Sequence, residues 1–171
     1  MPHKQALGSR EKLRRRYRPP QLRLLFIGEA PPASGRFFYN RDSGLYRAIR
    51  DAFRAADPSI TDETFLPIFQ SSGCYLIDLC PRPVDHLDRQ SRRLAHLAAE
   101  PSLRRTIKRL QPQSIVILVR SIQRNVERAA CCAGWHGPLT DLPYPGRWLH
   151  HRKIFLEALV PQLRDIVNLR P

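Results

Sequence analysis

One short segment near the start of the chain constrains the fold more than any other. Residues 24–27, Leu-Leu-Phe-Ile, form an uninterrupted run of bulky apolar side chains, which predicts a strand buried on both faces. Gly28 ends this strand, and Pro31 and Pro32 prevent the chain from continuing as strand or helix. We therefore expect Glu29 on a stiff turn at the carboxyl end of a central strand, the edge of an open α/β sheet where ligands bind.

The carboxylate of Glu29 has three interpretations at this position. It is a candidate general base, or a candidate group that stabilises developing positive charge. The third interpretation is structural, because a glutamate after a strand also caps helices or faces solvent. The segments that follow in the chain favour a chemical role.

Strand-like and helix-like segments alternate along the rest of the chain. Runs rich in apolar and β-branched residues at 74–79 and 114–119, and a shorter one at 136–142, are predicted as further strands. Segments with the helical spacing of apolar residues lie between and after these strands. This alternation predicts parallel strands between helical layers. We therefore expect an α/β fold, a three-layer α/β/α sandwich around a central four-stranded parallel sheet.

Capping residues and prolines predict where the helices begin and end. Asp42 or Ser43 is expected to cap the helix after the first loop, and Thr61 to begin the next one. Pro101 is expected to break one helical stretch into two, and Pro161 to kink or restart the last helix. The basic series around Pro101 is expected on a solvated helix face: Arg92, Arg93, Arg104, Arg105, Lys108 and Arg109.

Length and charge predict one basic domain with a polyanionic partner. The 171 residues suit a single core, expected at residues 21–171, after a basic N-terminal arm at residues 1–20. The formal net charge of +14 points to nucleic acid, DNA in the first place, although an arginine-rich proteome would give the same balance. The arm is expected either to contact phosphates or to be a solvated terminus.

Hydropathy and cysteine usage predict a cytoplasmic protein without a metal or cofactor. No apolar run approaches the ~20 residues of a membrane span, and the N-terminus lacks the apolar stretch of a secretory signal. Cys74, Cys80, Cys131 and Cys132 include no C-x-x-C pair, so we expect reduced thiols. Cys131 and Cys132 lie in a helical pattern and are expected to be buried.

The loop after the first strand contains three consecutive aromatic residues, Phe37, Phe38 and Tyr39. An irregular loop at a strand end cannot easily bury all three side chains. We therefore expect an aromatic platform that binds a flat ligand.

Several of these segments resemble motifs of the uracil-DNA glycosylase superfamily, over roughly residues 21–160. Residues 28–31, Gly-Glu-Ala-Pro, are similar to its first motif, closest to the branch that writes it G-E-A-P-G. Residues 35–38, Gly-Arg-Phe-Phe, followed by Gly44, resemble that branch's G-R-P-F…A-G segment, whose Phe stacks on the extruded base.

The later motifs of the superfamily also have counterparts in the chain. The strand that ends at Asp78 and residues 80–83, Cys-Pro-Arg-Pro, are similar to the second strand and its N-x-x-x-C-R-P-P loop. Residues 114–119 match the strand before the L-G-x-x-A segment. Residues 143–145, Pro-Tyr-Pro, before a helix are similar to the H-P-S-P motif that inserts at the DNA minor groove.

Four departures from the superfamily pattern bear on function. Asp78 stands where the family has the Asn that reads the uracil edge, and a carboxylate accepts hydrogen bonds but cannot donate them. It better suits a base that presents an amino group. Leu142 aligns with the motif His that stabilises the departing base, so this group is lost unless His150 or His151, both expected on the helix surface, substitutes for it. Pro32 replaces the second motif Gly, and the N-terminal cysteine pair of the branch's iron–sulfur cluster is missing.

The resemblance implies a DNA glycosylase that excises a damaged or deaminated base by hydrolysis of the N-glycosidic bond. It assigns Glu29 as the catalytic residue and implies base binding by Gly28, Ala30, Phe38 and Asp78. The implied DNA-binding residues are Arg36, Arg82, Pro143, Tyr144, Pro145, Arg147, His150, His151 and Arg152.

Two other functions remain open at this point. The departures at Asp78 and Leu142 also fit a nucleic-acid-binding member of the superfamily that no longer excises bases. A small-molecule enzyme ranks last, because the chain contains neither a G-x-G-x-x-G motif nor a P-loop. For both the glycosylase and the nucleic-acid-binding protein we expect a monomer.

Overall fold

A computed structural model describes the backbone of residues 2–146 and 148–168, and the side chains of residues 8–146 and 148–167. Its centre is one parallel sheet with the strand order β2-β1-β3-β4. The strands are β1 (Leu24–Gly28), β2 (Cys74–Asp78), β3 (Ser114–Ile117) and β4 (Leu139–Asp141). The described helices are α1 (Pro2–Arg16), α2 (Gly44–Ala56), α3 (Asp62–Ser71), α4 (Arg89–Leu110), α5 (Gln123–Cys132) and α6 (Leu149–Asn168), with short 3-10 helices at Phe38–Asn40 and Arg120–Ile122. The predicted α/β fold with four parallel strands is confirmed.

The segment at residues 24–28 is the central strand. Leu24, Leu25, Phe26 and Ile27 are completely buried, because β1 has a neighbouring strand on each side and helices pack over the sheet. The parallel register pairs Gly28 with Asp78, so that the first two strands end side by side.

Polar side chains cap three helices at their first turns. The Ser43 hydroxyl accepts a hydrogen bond from the Tyr46 N–H at 3.0 Å and begins α2. Thr61 forms a reciprocal capping box with Thr64 at the start of α3, as the sequence predicts. Asp88 accepts hydrogen bonds from two backbone N–H groups and begins α4.

The expected break at Pro101 is wrong, and the last helix does not restart at Pro161, since both prolines lie inside continuous helices. Each proline removes one backbone hydrogen bond and costs roughly 3 kcal/mol in a helix interior. Tertiary packing outweighs this cost, because the buried stripe of each helix continues through the proline. In α4 the stripe includes Ala99, Leu103 and Ile107, and in α6 it includes Phe155, Leu159 and Leu163.

The expected exposed platform of Phe37, Phe38 and Tyr39 is also wrong, because each of the three side chains is only 3% exposed. The 3-10 helix at Phe38–Asn40 folds the loop back over the core. The Tyr39 hydroxyl then accepts a hydrogen bond from the Leu76 N–H at 2.8 Å and donates one to the Leu76 carbonyl at 3.1 Å. The loop is therefore part of the core rather than a free surface.

Cys131 and Cys132 differ from expectation as well, since both are exposed. The buried side of α5 is formed by Asn125, Val126, Ala129 and Ala130, which turns the two cysteines away from the core. Of the helices that the structure describes, none is long and apolar enough to cross a membrane.

Candidate functional site

The carboxyl ends of β1, β2 and β3 open into a cavity of about 740 Å³. Glu29, Asp78 and Phe38 all line this cavity, although they come from three separate parts of the chain. Gly28 and Ala30 line it as well. The parallel register explains this convergence, because it brings the turns that follow neighbouring strands to one edge of the sheet.

The Glu29 side chain is held by two residues of α4. The Arg92 guanidinium donates hydrogen bonds from Nε to Oε1 and from Nη2 to Oε2, a bidentate pair. His96 Nε2 lies 2.8 Å from Oε1, and this nitrogen carries the hydrogen because a carboxylate only accepts. Arg92 and His96 are four residues apart and so face the same side of α4.

These contacts define what the Glu29 carboxylate can do. A carboxylate offers about four acceptor positions, and Arg92 and His96 occupy three of them. Among the described residues no further group donates to Oε2, so one acceptor position there is open to a water molecule. The hydrogen bonds to Glu29 raise the pKa of Arg92, so the guanidinium stays charged beside the carboxylate. The arrangement favours orientation of a water and electrostatic stabilisation over abstraction of a proton.

Asp78 has a different environment from Glu29, although the two acids line the same cavity. Its side chain is only 9% exposed, and its Oδ2 accepts a hydrogen bond from Arg14 Nη2 at 2.8 Å. Burial raises the pKa of Asp78, and the nearby charges of Arg14 and Arg10 oppose that rise. Within the described residues Oδ1 receives no hydrogen bond, so it can accept one from a ligand.

Asp78 approaches β1 closely at Gly28. A Cβ atom at Gly28 would lie 3.0 Å from Asp78 Oδ1, so the carboxylate would have to shift by a few tenths of an ångström. The absence of a side chain at Gly28 therefore permits the observed position of Asp78.

Helix α1 lies against the site, with part of its basic surface directed inwards. Arg10 Nη2 donates a hydrogen bond to the Gly35 carbonyl at 3.1 Å, and the Arg14 guanidinium lies 5.4 Å from the centre of the Phe37 ring. The ring of Tyr17, just after α1, stacks on Tyr39 at 5.3 Å. Arg14 thus contacts protein groups instead of being available to phosphates.

Phe38 lines the cavity but is almost completely surrounded by other rings. Tyr39 and Tyr46 meet it edge to face, and Phe65 and Phe69 pack against it from the core. Only a small part of the Phe38 ring is accessible to a ligand. A ligand would therefore contact a buttressed ring in the lining of the cavity rather than a free platform.

The residues expected to bind DNA divide into two groups. Those that line the cavity are Arg36, Pro143, Tyr144 and His151. Those that do not are Arg82 and His150, which are exposed elsewhere, Pro145, which is buried, and Arg152, which forms an ion pair with Asp51. Arg147 lies outside the described residues. Leu142 is 2% exposed and packs in the core, so it does not line the cavity.

Sequence reasoning missed three residues that hold the two acids: Arg14, Arg92 and His96. The expectation that Arg92 lies on a solvated face is wrong, because it reaches the cavity and binds Glu29. The i, i+4 spacing of Arg92 and His96 is visible in the sequence. Nothing local, however, distinguishes Arg92 from the other arginines of α4.

The buried Cys80 lies close to the cavity. Its Sγ donates a hydrogen bond to the Ala95 carbonyl at 3.7 Å. Burial, together with the charges of Glu29 and Asp78, raises the pKa of Cys80 to about 11, so its thiol stays protonated at neutral pH. In the part of the chain whose side chains are described, no three His, Cys, Asp or Glu residues come together as a metal site.

Comparison with known families gives one match. The family model described as "Uracil DNA glycosylase superfamily" matches residues 15–164. The match spans all four strands and includes Glu29, Phe38 and Asp78, whereas most of α1 precedes it. A comparison with curated proteins found none that matches the chain.

Proposed function

Because this chain belongs to the uracil DNA glycosylase superfamily, we propose that it binds DNA and excises a damaged or deaminated base by hydrolysis of the N-glycosidic bond. The observation that carries the proposal is the single cavity lined by Glu29, Phe38 and Asp78. A glycosidic bond inside a base stack is unreachable, so the target nucleotide rotates out of the stack and its base enters the cavity.

Glu29 has two tasks in this proposal. Its remaining acceptor position on Oε2 orients the attacking water, whose oxygen bonds to the sugar carbon as the bond to the base nitrogen breaks and which then loses one proton to solvent. Its negative charge lies where positive charge develops on the sugar. Arg92 and His96 act as positioning residues, because they hold the Glu29 carboxylate in place.

Asp78 reads the edge of the base. Its Oδ1 accepts a hydrogen bond from an amino group, while Arg14 holds Oδ2. A base carbonyl at the same place would meet a second acceptor, which is unfavourable unless Asp78 is protonated. This favours a damaged base that keeps an amino group on that edge, such as an alkylated adenine, over a deaminated base, which carries a carbonyl there.

The departing base also needs a proton donor or another stabilising group. Leu142, at the position of the motif His, cannot supply one and is buried away from the cavity. His151 lines the cavity and is half-buried, whereas His150 does not line it. We assign this task to His151. The cavity-lining Arg36 and Arg120 then bind the flanking phosphates.

The test of the proposal is base release from a panel of oligonucleotides that carry uracil, hypoxanthine, xanthine or an alkylated purine. We expect release from at least one substrate and at least a hundredfold slower release by Glu29→Gln, the size of loss typical when a group that stabilises transition-state charge is removed. Glu157→Gln is the matched control, because Glu157 is exposed on α6 outside the cavity and should leave the rate unchanged. A panel without any released base, or a Glu29→Gln variant with full activity, would reject the proposal.

The second candidate function is nucleic-acid binding without excision. Three observations favour this function. Arg92 pairs with both oxygens of Glu29, Arg14 pairs with Asp78, and Leu142 is buried. Binding that weakens steeply with salt, together with an empty panel, would support this function over hydrolysis.

A further inference from the structure

A second groove lies beside the cavity, between the amino-terminal half of α4 and the region that begins α5. It encloses about 840 Å³. Six arginines line it: Arg89, Arg92, Arg93, Arg120, Arg124 and Arg128.

Helical spacing turns these arginines towards the same groove. Arg92 and Arg93 lie three and four residues after Arg89, and so both are neighbours of Arg89 on one side of α4. Arg124 and Arg128 are four residues apart on α5, which packs directly against α4. The groove therefore has a row of guanidinium groups on each wall.

Carboxylates balance only half of this charge. Arg92 pairs with Glu29, Arg120 lies 3.4 Å from Asp141, and Arg128 pairs with Glu100. Among the described residues, no carboxylate lies within ion-pair distance of the remaining three arginines, which are Arg89, Arg93 and Arg124. All three are exposed. Such a concentration of like charges is unfavourable by itself and attracts a polyanion.

The composition of the groove indicates contact with phosphates rather than stacking of bases. Among the described residues no Phe, Tyr or Trp lines it, and its apolar lining comes from Leu87 and Leu97. Guanidinium groups without aromatic partners bind the backbone and do not distinguish sequence. The groove lies between two helices in direct contact, and the axes of packed helices are typically about 8–10 Å apart. A single backbone fits this spacing better than a duplex does.

The groove continues directly from the cavity. Arg92, Arg120 and Ser121 line both. We infer that the groove binds the sugar–phosphate backbone of a single-stranded segment that leads away from the nucleotide in the cavity. This inference rests on the proposed function for the role of the cavity, but binding in the groove does not require excision.

The test measures binding of unmodified oligothymidylates of increasing length, and of a duplex, at several salt concentrations. These probes contain no target base, so an inactive enzyme would still give the result. The groove variant is the triple substitution Arg89→Gln, Arg93→Gln, Arg124→Gln. The matched control is Arg104→Gln, Arg105→Gln, Arg109→Gln, which removes the same charge from exposed arginines of α4 outside both cavities.

We expect the groove variant to bind the longer single strands at least tenfold more weakly and to bind the shortest probe nearly as well as the unsubstituted protein. The slope of log affinity against log salt should fall by about 2, since each single-strand phosphate contact contributes about 0.7. The control should keep both affinity and slope, and thermal melting should show that both variants are folded. Equal losses in the two variants, or an equal loss for duplex and single strand, would overturn the inference.

Discussion

Glu29 and Asp78 are two carboxylates at neighbouring strand ends, and their partners give them different chemistry. Arg92 and His96 together bind both oxygens of Glu29, which fixes the orientation of the carboxylate. Arg14 binds one oxygen of Asp78 and leaves the other facing the cavity. Two carboxylates in different environments can perform different tasks in one site.

The substitution Asp78→Asn tests the base-reading task. An amide both donates and accepts, so the variant should recognise a base carbonyl that the carboxylate repels. We expect the ratio of uracil release to release of amino-bearing bases to rise at least tenfold, in line with roughly 1–3 kcal/mol for a repaired hydrogen bond. Competition between the two substrates in one reaction measures this ratio directly.

Asp85→Asn is the control for this substitution, because Asp85 also lines the cavity but is exposed and bonds to the Ala33 N–H. Its base preference should not change. The Asp78 variant keeps Glu11 as an ion-pair partner of the Arg14 guanidinium, and thermal melting checks that the variant is folded. An unchanged substrate ratio in a folded Asp78→Asn protein would contradict the assignment.

At the scale of elements, α4 connects the site with the rest of the molecule. Its first half supplies Arg92 and His96, and Glu100 in its middle binds α5. The Glu100 carboxylate accepts a hydrogen bond from Asn125 Nδ2 at 2.6 Å and pairs with Arg128. These contacts help to keep the helix continuous through Pro101 and so place Arg92 at the cavity.

The pairing of Glu100 predicts a pH-dependent stability. The hydrogen bond from Arg128, followed by that from Asn125, lowers the pKa of Glu100 in the folded protein. Its contribution to stability is therefore fully present above the unfolded pKa of about 4.3 and is lost as the pH falls through the lower folded value.

The variant Glu100→Gln should accordingly be less stable at pH 7, by about 1 kcal/mol for a partly solvated hydrogen bond to a charged group. The difference from the unsubstituted protein should shrink as the pH falls below about 4. Urea unfolding at a series of pH values measures it. Glu127→Gln, on the exposed face of α5, serves as the reference. A stability difference that does not vary with pH would show that the carboxylate charge has no part in the α4–α5 contact.

At the scale of the whole molecule, the two cavities meet at Arg92, Arg120 and Ser121 and form one surface. The chain that carries this surface has a formal net charge of +14. The cavity at the sheet edge offers Arg36, Arg47 and Arg120, and the groove continues from it through Arg120 and Arg92. Binding of any nucleic acid should therefore be dominated by the release of counterions from phosphates.

We expect the affinity for a 16-nucleotide strand to fall at least a hundredfold between about 50 and 200 mM salt, as several phosphate contacts require. Fluorescence anisotropy titrations at four salt concentrations measure the slope. An oligonucleotide with an uncharged methylphosphonate backbone is the control and should bind far more weakly at every salt concentration. An affinity that does not change with salt would exclude nucleic acid as the partner of this surface.

Much of the fold could be predicted because its signals are local. The run at residues 24–27 is apolar on both faces, and a strand inside a sheet buries both faces of such a run. Gly28 and the two following prolines end that strand without any help from distant residues. The edge position of Glu29 and Asp78 follows from parallel pairing, so their meeting in one cavity could also be predicted.

What the tertiary structure alone decided is which groups hold those acids. Arg14 and Arg92 are two arginines among many in a basic chain, and no local pattern marks them. The burial of Phe37, Phe38 and Tyr39, and the continuity of α4 through Pro101, depend likewise on what packs against them. Local sequence determines backbone preference and burial pattern, whereas the partners of a charged side chain depend on distances that exist only after the chain has folded.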